Sequence, residues 1–234
     1  MRDMKKHIPN TITCCNLISG CIATWFAFQG DFNMALLMII IGAVFDFFDG
    51  MVARLLNVSS PIGKELDSLA DDITFGFAPS AIVFEYLKPE TELLPFIVFV
   101  MAAFSALRLA KFNLDERQAL GFIGLPTPAN ALFWGSLIAG AGEWMKSAPF
   151  IGPNLSLVIL IGVFISCYLL VAEIPMFALK FKHWGWKGNE IKYIFILSCV
   201  PILLILGITG FAVIIAWYVI LSAITSHRSS INAQ

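Results

Sequence analysis

Long apolar segments, separated by short polar or Gly/Pro breaks, constrain this 234-residue chain more than any other feature. The segments run over about 11–28, 33–56, 66–87, 93–112, 127–142, 154–178, 191–206 and 209–225. A bilayer core needs about 20 predominantly apolar residues per helix, and 59% of this chain is hydrophobic against 13% charged. A soluble domain carries nearer a quarter charged residues, so the apolar surplus must face lipid. The breaks are Gln29-Gly30-Asp31, Ser59-Ser60-Pro61, Lys88 to Glu92, Asp115 to Arg117, Glu143 to Pro153, Lys180 to Asn189 and Gly207 to Gly210. The expected fold is all-α: a polytopic transmembrane helical bundle of about eight spans, with six spans and peripheral helices as the alternative. Residues 1–234 are expected to form one membrane-embedded domain, and MRDMKKH with the apolar run after it is read as the first span, not a cleaved leader.

Basic residues give the orientation. Arg2, Lys5, Lys6, Arg54, Lys64, Arg108, Lys111, Arg117, Lys180, Lys182, Lys187, Lys192 and Arg228 fall on one side, and only Lys88 and Lys146 on the other. Basic loops stay in the cytoplasm, which predicts both termini inside. A formal net charge of −1 gives no reason to expect a nucleic-acid partner. The five cysteines lie in apolar segments without CxxC or zinc spacing and are expected to be small buried hydrophobes. His7, His183 and His227 sit in polar connections, which leaves no histidine base inside the membrane.

The chemistry concentrates in FDFFDGMVARLLNVSSPIGKELDSLADDITFG. Asp46 and Asp49 are three apart, and Asp67 and Asp71 four apart, so each pair shares one helix face. The turn at Ser59-Ser60-Pro61 is expected to make the two helices antiparallel neighbours with the pairs facing each other. One Asp near mid-membrane costs about 2.5–3.5 kcal/mol on insertion scales, and four cost on the order of 10 kcal/mol. Four facing carboxylates also repel, and divalent cations remove that repulsion. An all-oxygen ligand set points to Mg²⁺ or Mn²⁺, with Ca²⁺ as a further candidate. Gly50, Ala53 and Gly63 leave the helix surfaces bare for a ligand, and Arg54 offers a planar fork for phosphate. Asp72, about 100° around the helix from Asp71, receives no catalytic role.

The run Asp46-x2-Asp49-Gly50-x2-Ala53-Arg54-x8-Gly63-x3-Asp67-x3-Asp71 resembles the complete signature of the CDP-alcohol phosphatidyltransferase family. The resemblance implies a membrane-embedded helical homodimer in the cell (inner) membrane, its site facing the cytoplasm, with a CDP-linked lipid as donor and Mg²⁺ or Mn²⁺ as cofactor. By that resemblance Asp46, Asp49 and Asp67 are metal ligands. Asp71 is the general base and a further metal contact, and Gly50, Ala53, Arg54 and Gly63 line the cytidine and diphosphate site.

Further stretches resemble the branch of the family that uses CDP-diacylglycerol and L-serine. They are Ile8-Pro9-Asn10-x2-Thr13-x2-Asn16-Leu17, Asp67-Ser68-Leu69-Ala70-Asp71 with Phe75-Gly76-x-Ala78-Pro79, Arg108 to Asn113 with Lys111 where Arg is expected, and Gly124 to Ala129. Asn10 and Thr13 are read as donor-site residues. Serine is a zwitterion whose carboxylate needs a cation, for which Arg108 and Lys111 are available, with Pro126 and Thr127 shaping the pocket beside them. Glycerol 3-phosphate or inositol phosphate, the alternative acceptors, would demand more convergent basic residues than Arg108, Lys111 and Arg117 supply. A cation transporter would spread its acids through the bilayer, whereas here they gather at one end of two helices; Glu173, the other deep acid, is read as polar packing at the end of the sixth span.

Overall fold

Polar residues at the breaks start and stop the helices, as capping chemistry requires. In the computed structural model, which describes residues 7–90, 93–114, 122–177, 185–186 and 189–231, helix α1 spans His7–Phe28 and α2 spans Phe32–Leu56. Between them Gly30 takes a φ of 75°, a left-handed conformation that glycine adopts at no steric cost. Asp31 then caps α2, its carboxylate accepting from the Met34 amide at 3.0 Å. Asn57, left-handed at φ 51°, closes α2. Ser60 is extended and accepts from the Gly63 amide at 3.0 Å, with Pro61 opening α3 (Pro61–Asp71).

Helix α3 runs on through a π-helical turn, Asp72–Phe77, into α4 (Ala78–Leu87). Pro79 lacks an N–H, and its ring would meet the carbonyl four residues back, so the backbone before it widens. Next come α5 (Val100–Leu114), entered through a 3₁₀ turn at Leu94–Phe99, and α6 (Thr127–Ser147). A second 3₁₀ turn, Gly152–Asn154, leads into α7 (Leu155–Val171), and α8 (Glu190–Leu206) and α9 (Thr209–Ile231) follow.

The all-α expectation holds apart from a two-residue antiparallel pair, β1 (Phe122–Ile123) with β2 (Pro175–Met176). That pair explains one difference from the expected spans. The sixth helix stops at Val171 instead of 178, because Pro175 disfavours helical backbone before it and the chain turns extended to meet β1. Glu173 therefore lies exposed, two residues beyond the end of that helix.

Four helical segments are long and apolar enough to cross a membrane: His7–Phe28, Phe32–Leu56, Leu94–Leu114 and Gly152–Val171. Large apolar side chains such as Trp25, Phe47, Phe164 and Leu204 stand exposed on the outer surface, as a lipid-facing belt requires. Cys14 and Cys21 belong to that outer surface and not to the core expected for them, whereas Cys167 is buried.

Helix α1 packs along α2 and also along α3, the π turn and α4; α6 packs on α2, α4 and α9. Small residues allow these approaches. A Cβ at Gly20 would lie 2.8 Å from Thr74 Cα, and one at Gly135 would lie 3.0 Å from Leu36. Tyr86, buried at the far end of α4, donates to the Gly142 carbonyl at 2.7 Å, and Trp134 donates to Ser166 at 3.0 Å.

Three of the described lysines fall at two different ends of the bundle. Lys146 sits over the Tyr86 ring at 4.9 Å, near Lys88 at the end of α4. Lys64 binds the Asn113 carbonyl at 2.8 Å at the opposite end. Arg2, Lys5, Lys6, Arg117, Lys180, Lys182 and Lys187 lie outside the described residues, as does the side chain of Arg228.

Candidate active site

The two acid-bearing helices come together differently from the simple antiparallel hairpin that their short turn suggests. Helices α2 and α3 make little direct contact; α1 packs against both, and the acids face each other across the gap. Ligand oxygens of Asp46, Asp49 and Asp67 all lie within 4.8 Å of one another. Asp71, one turn further along α3, stands outside this triad and accepts from Asn16 Nδ2 at 3.1 Å.

Helix α1 supplies the groups that hold the acids. Thr13 Oγ1 donates to Asp49 Oδ2 at 2.6 Å, with both residues buried. Thr13 also lies 3.1 Å from the Pro9 carbonyl. A hydroxyl has one proton to give, and the shorter contact to a carboxylate is the stronger of the two.

The donor set fits a hard divalent cation. Three carboxylates converge, and Asp67 Oδ1 is buried without a hydrogen-bond partner. Among the described residues no lysine or arginine forms a salt bridge with any of the three. A buried carboxylate oxygen left unpaired costs on the order of several kcal/mol, which a cation between the acids removes.

Beside the triad opens a cavity of about 360 Å³ lined by Pro9, Asn10, Thr13, Asp49, Gly50, Ala53, Ser60, Gly63, Lys64 and Asp67. A Cβ at Gly63 would lie 2.9 Å from Asn10 Oδ1, so the glycine makes room for that amide. Arg54 folds back over Gly50 and, with Ala53 and Asn57, lines an adjoining open groove. The structure thus brings Asn10, Thr13, Gly50, Ala53 and Gly63 together with the acids and sets Arg54 at their edge. The residues named for an acceptor divide. Arg108 is 7% exposed, its Nε has no hydrogen-bond partner, and it lies close enough to Asp71 to interact with its charge. Thr127 is fully buried with an unpartnered hydroxyl, and Pro126 sits half-buried at the cap of α6. Lys111 is exposed in the last turn of α5 and does not share the buried setting of Arg108. Arg117 lies outside the described residues.

Two side chains went unassigned from the sequence. Lys64 lines the cavity while bound to the Asn113 carbonyl, and Asn113 in turn donates to Ser68 at 2.8 Å, tying α3 to α5. Asn16 touches Asp71. Its signal was the spacing of Thr13 and Asn16, polar residues three apart in an apolar helix.

Fold and site define a helical membrane protein with a carboxylate-lined cavity where the ends of three helices meet. Residues 6–225 match the family model described as CDP-alcohol phosphatidyltransferase, and the chain belongs to that family. Among its relatives are proteins named CDP-diacylglycerol–serine O-phosphatidyltransferase. One from Methanocaldococcus jannaschii is 33% identical over 208 residues, covering 89% of this chain and 88% of the relative. One from Helicobacter pylori is 32% identical over 196 residues, covering 80% and 79%. One from Bacillus subtilis is 40% identical over 126 residues, covering 53% and 70%.

Proposed function

We propose that this protein transfers the phosphatidyl group of CDP-diacylglycerol to L-serine, giving phosphatidylserine and CMP. The convergence of Asp46, Asp49 and Asp67 beside a cavity floored by Gly50 and Gly63 carries this reading, and the names of the relatives support serine as the acceptor. Asp46, Asp49 and Asp67 would hold Mg²⁺ or Mn²⁺, with Asp71 as a further contact. An ion held there would supply positive charge against the diphosphate. Thr13, donating to Asp49, fixes the orientation of that ligand. Asn10, Thr13, Gly50, Ala53, Arg54 and Gly63 receive the cytidine and diphosphate.

Arg108 takes the serine carboxylate, with Lys111 at the rim and Pro126 and Thr127 forming the wall beside it. The serine hydroxyl oxygen then attacks the phosphorus carried by diacylglycerol, the bond from that phosphorus to the CMP oxygen breaks, and the hydroxyl proton passes to Asp71. The protein works as one domain with eight spans, as a homodimer in the cell membrane, both termini and the site facing the cytoplasm. The segregation of Lys64 from Lys88 and Lys146 supports that orientation.

Purified protein incubated with CDP-diacylglycerol, Mn²⁺ and labelled serine should release CMP and form labelled lipid in equal amounts. CMP release driven by glycerol 3-phosphate or inositol phosphate and not by serine would overturn the acceptor assignment.

A further inference from the structure

We propose that Asn16 is a positioning residue for Asp71, holding one carboxylate oxygen so that the other faces the acceptor hydroxyl; this rests on the base role given to Asp71 above. Asn16 is fully buried in the middle of an apolar helix, where an amide is costly unless its position has a use. Its Nδ2 donates to Asp71 Oδ1 at 3.1 Å. Among the described residues Asp71 Oδ2 accepts no hydrogen bond, which leaves that oxygen for a substrate proton.

The amide has one workable orientation. Turned over, its oxygen would face a carboxylate, which cannot donate to it when ionised. As placed, Oδ1 has no hydrogen-bond partner and points towards Gly42, where a Cβ would lie 3.0 Å away. Glycine at 42 therefore makes the space this side chain occupies. The backbone around Asn16 is fixed as well, because Thr74 Oγ1 donates to the Asn16 carbonyl at 3.0 Å. Thr74 lies in the π turn that begins one residue after Asp71. Helix α1 therefore grips this stretch twice, once at the carboxylate and once three residues on.

A residue acting in this way alters turnover more than substrate binding. A displacement of about 1 Å at a reacting group can cost on the order of 100-fold in rate. Asn16→Ala removes the donor together with the amide, and Asn16→Ser removes the reach without crowding. Both are compared with wild type for kcat, for KM of serine and of CDP-diacylglycerol, and for Mn²⁺-dependent binding of the donor by calorimetry. We expect kcat to fall about 100-fold in each variant, with both KM values and donor binding within about threefold of wild type. Either variant turning over at near the wild-type rate, or losing donor binding in step with turnover, would overturn the proposal. If only one variant is recovered folded, the same comparison on that one decides. Absence of serine-dependent CMP release from the wild type would instead count against the parent reaction.

Discussion

Replacing Thr13 with Val tests the support of the carboxylate triad at its most buried contact. The substitution keeps the branched shape and removes only the hydroxyl that donates to Asp49 Oδ2 at 2.6 Å. Thr13 is 3% exposed and Asp49 6%, so water has poor access to replace the bond. A hydrogen bond to a charged group contributes about 1.5–3 kcal/mol, and about 2 kcal/mol corresponds to about 30-fold in an equilibrium constant. That agrees with the 10- to 100-fold loss in metal affinity typical when a partner of a metal-binding side chain is removed. The Thr13→Val enzyme should therefore need about 30-fold more Mn²⁺ for half-maximal CMP release, with kcat at saturating Mn²⁺ within a few-fold of wild type. An unchanged Mn²⁺ requirement would mean either that Asp49 is not a ligand or that the 2.6 Å contact does not orient it.

Two further substitutions separate the remaining roles. Asp71→Asn keeps the shape and removes the proton acceptor, so CMP release should fall by at least about 100-fold while Mn²⁺-dependent donor binding persists; turnover near the wild-type rate would remove Asp71 as the base. Arg108→Ala should raise the serine KM about tenfold or more with the CDP-diacylglycerol KM little changed, as expected from losing a charge-assisted contact; an unaltered serine response would place Arg108 outside the acceptor pocket.

The strongest parts of this architecture were written in side-chain chemistry that survives without coordinates. Acids three and four apart within apolar segments cannot be placed freely, so the facing of the α2 pair with the acids of α3 was legible from spacing, whereas the choice of Asp67 over Asp71 for the triad was not. The caps at Asp31 and Ser60 were equally open to reading, because short polar side chains at helix starts have few other uses. What stayed hidden depends on packing between distant segments. Nothing local to α2 and α3 says that α1 will pack against both and supply Thr13 and Asn16 to the acids. The π turn after Asp71 follows from Pro79, but its effect, carrying Thr74 onto the Asn16 carbonyl, needs both helices in place. Pro175 was a visible stop signal for α7, and the apolar run before it concealed the stop. Arg108 and Lys111 looked equivalent in sequence, three apart near one helix end, and the bundle buries one and leaves the other exposed.

The proposed mechanism stands on a divalent cation between carboxylates of α2 and α3. Anomalous diffraction from crystals of the protein grown with Mn²⁺ tests it directly. A manganese peak is expected about 2.1 Å from carboxylate oxygens of Asp46, Asp49 and Asp67 together. A peak elsewhere in the bundle, or those three side chains turned apart with no manganese among them, would contradict it.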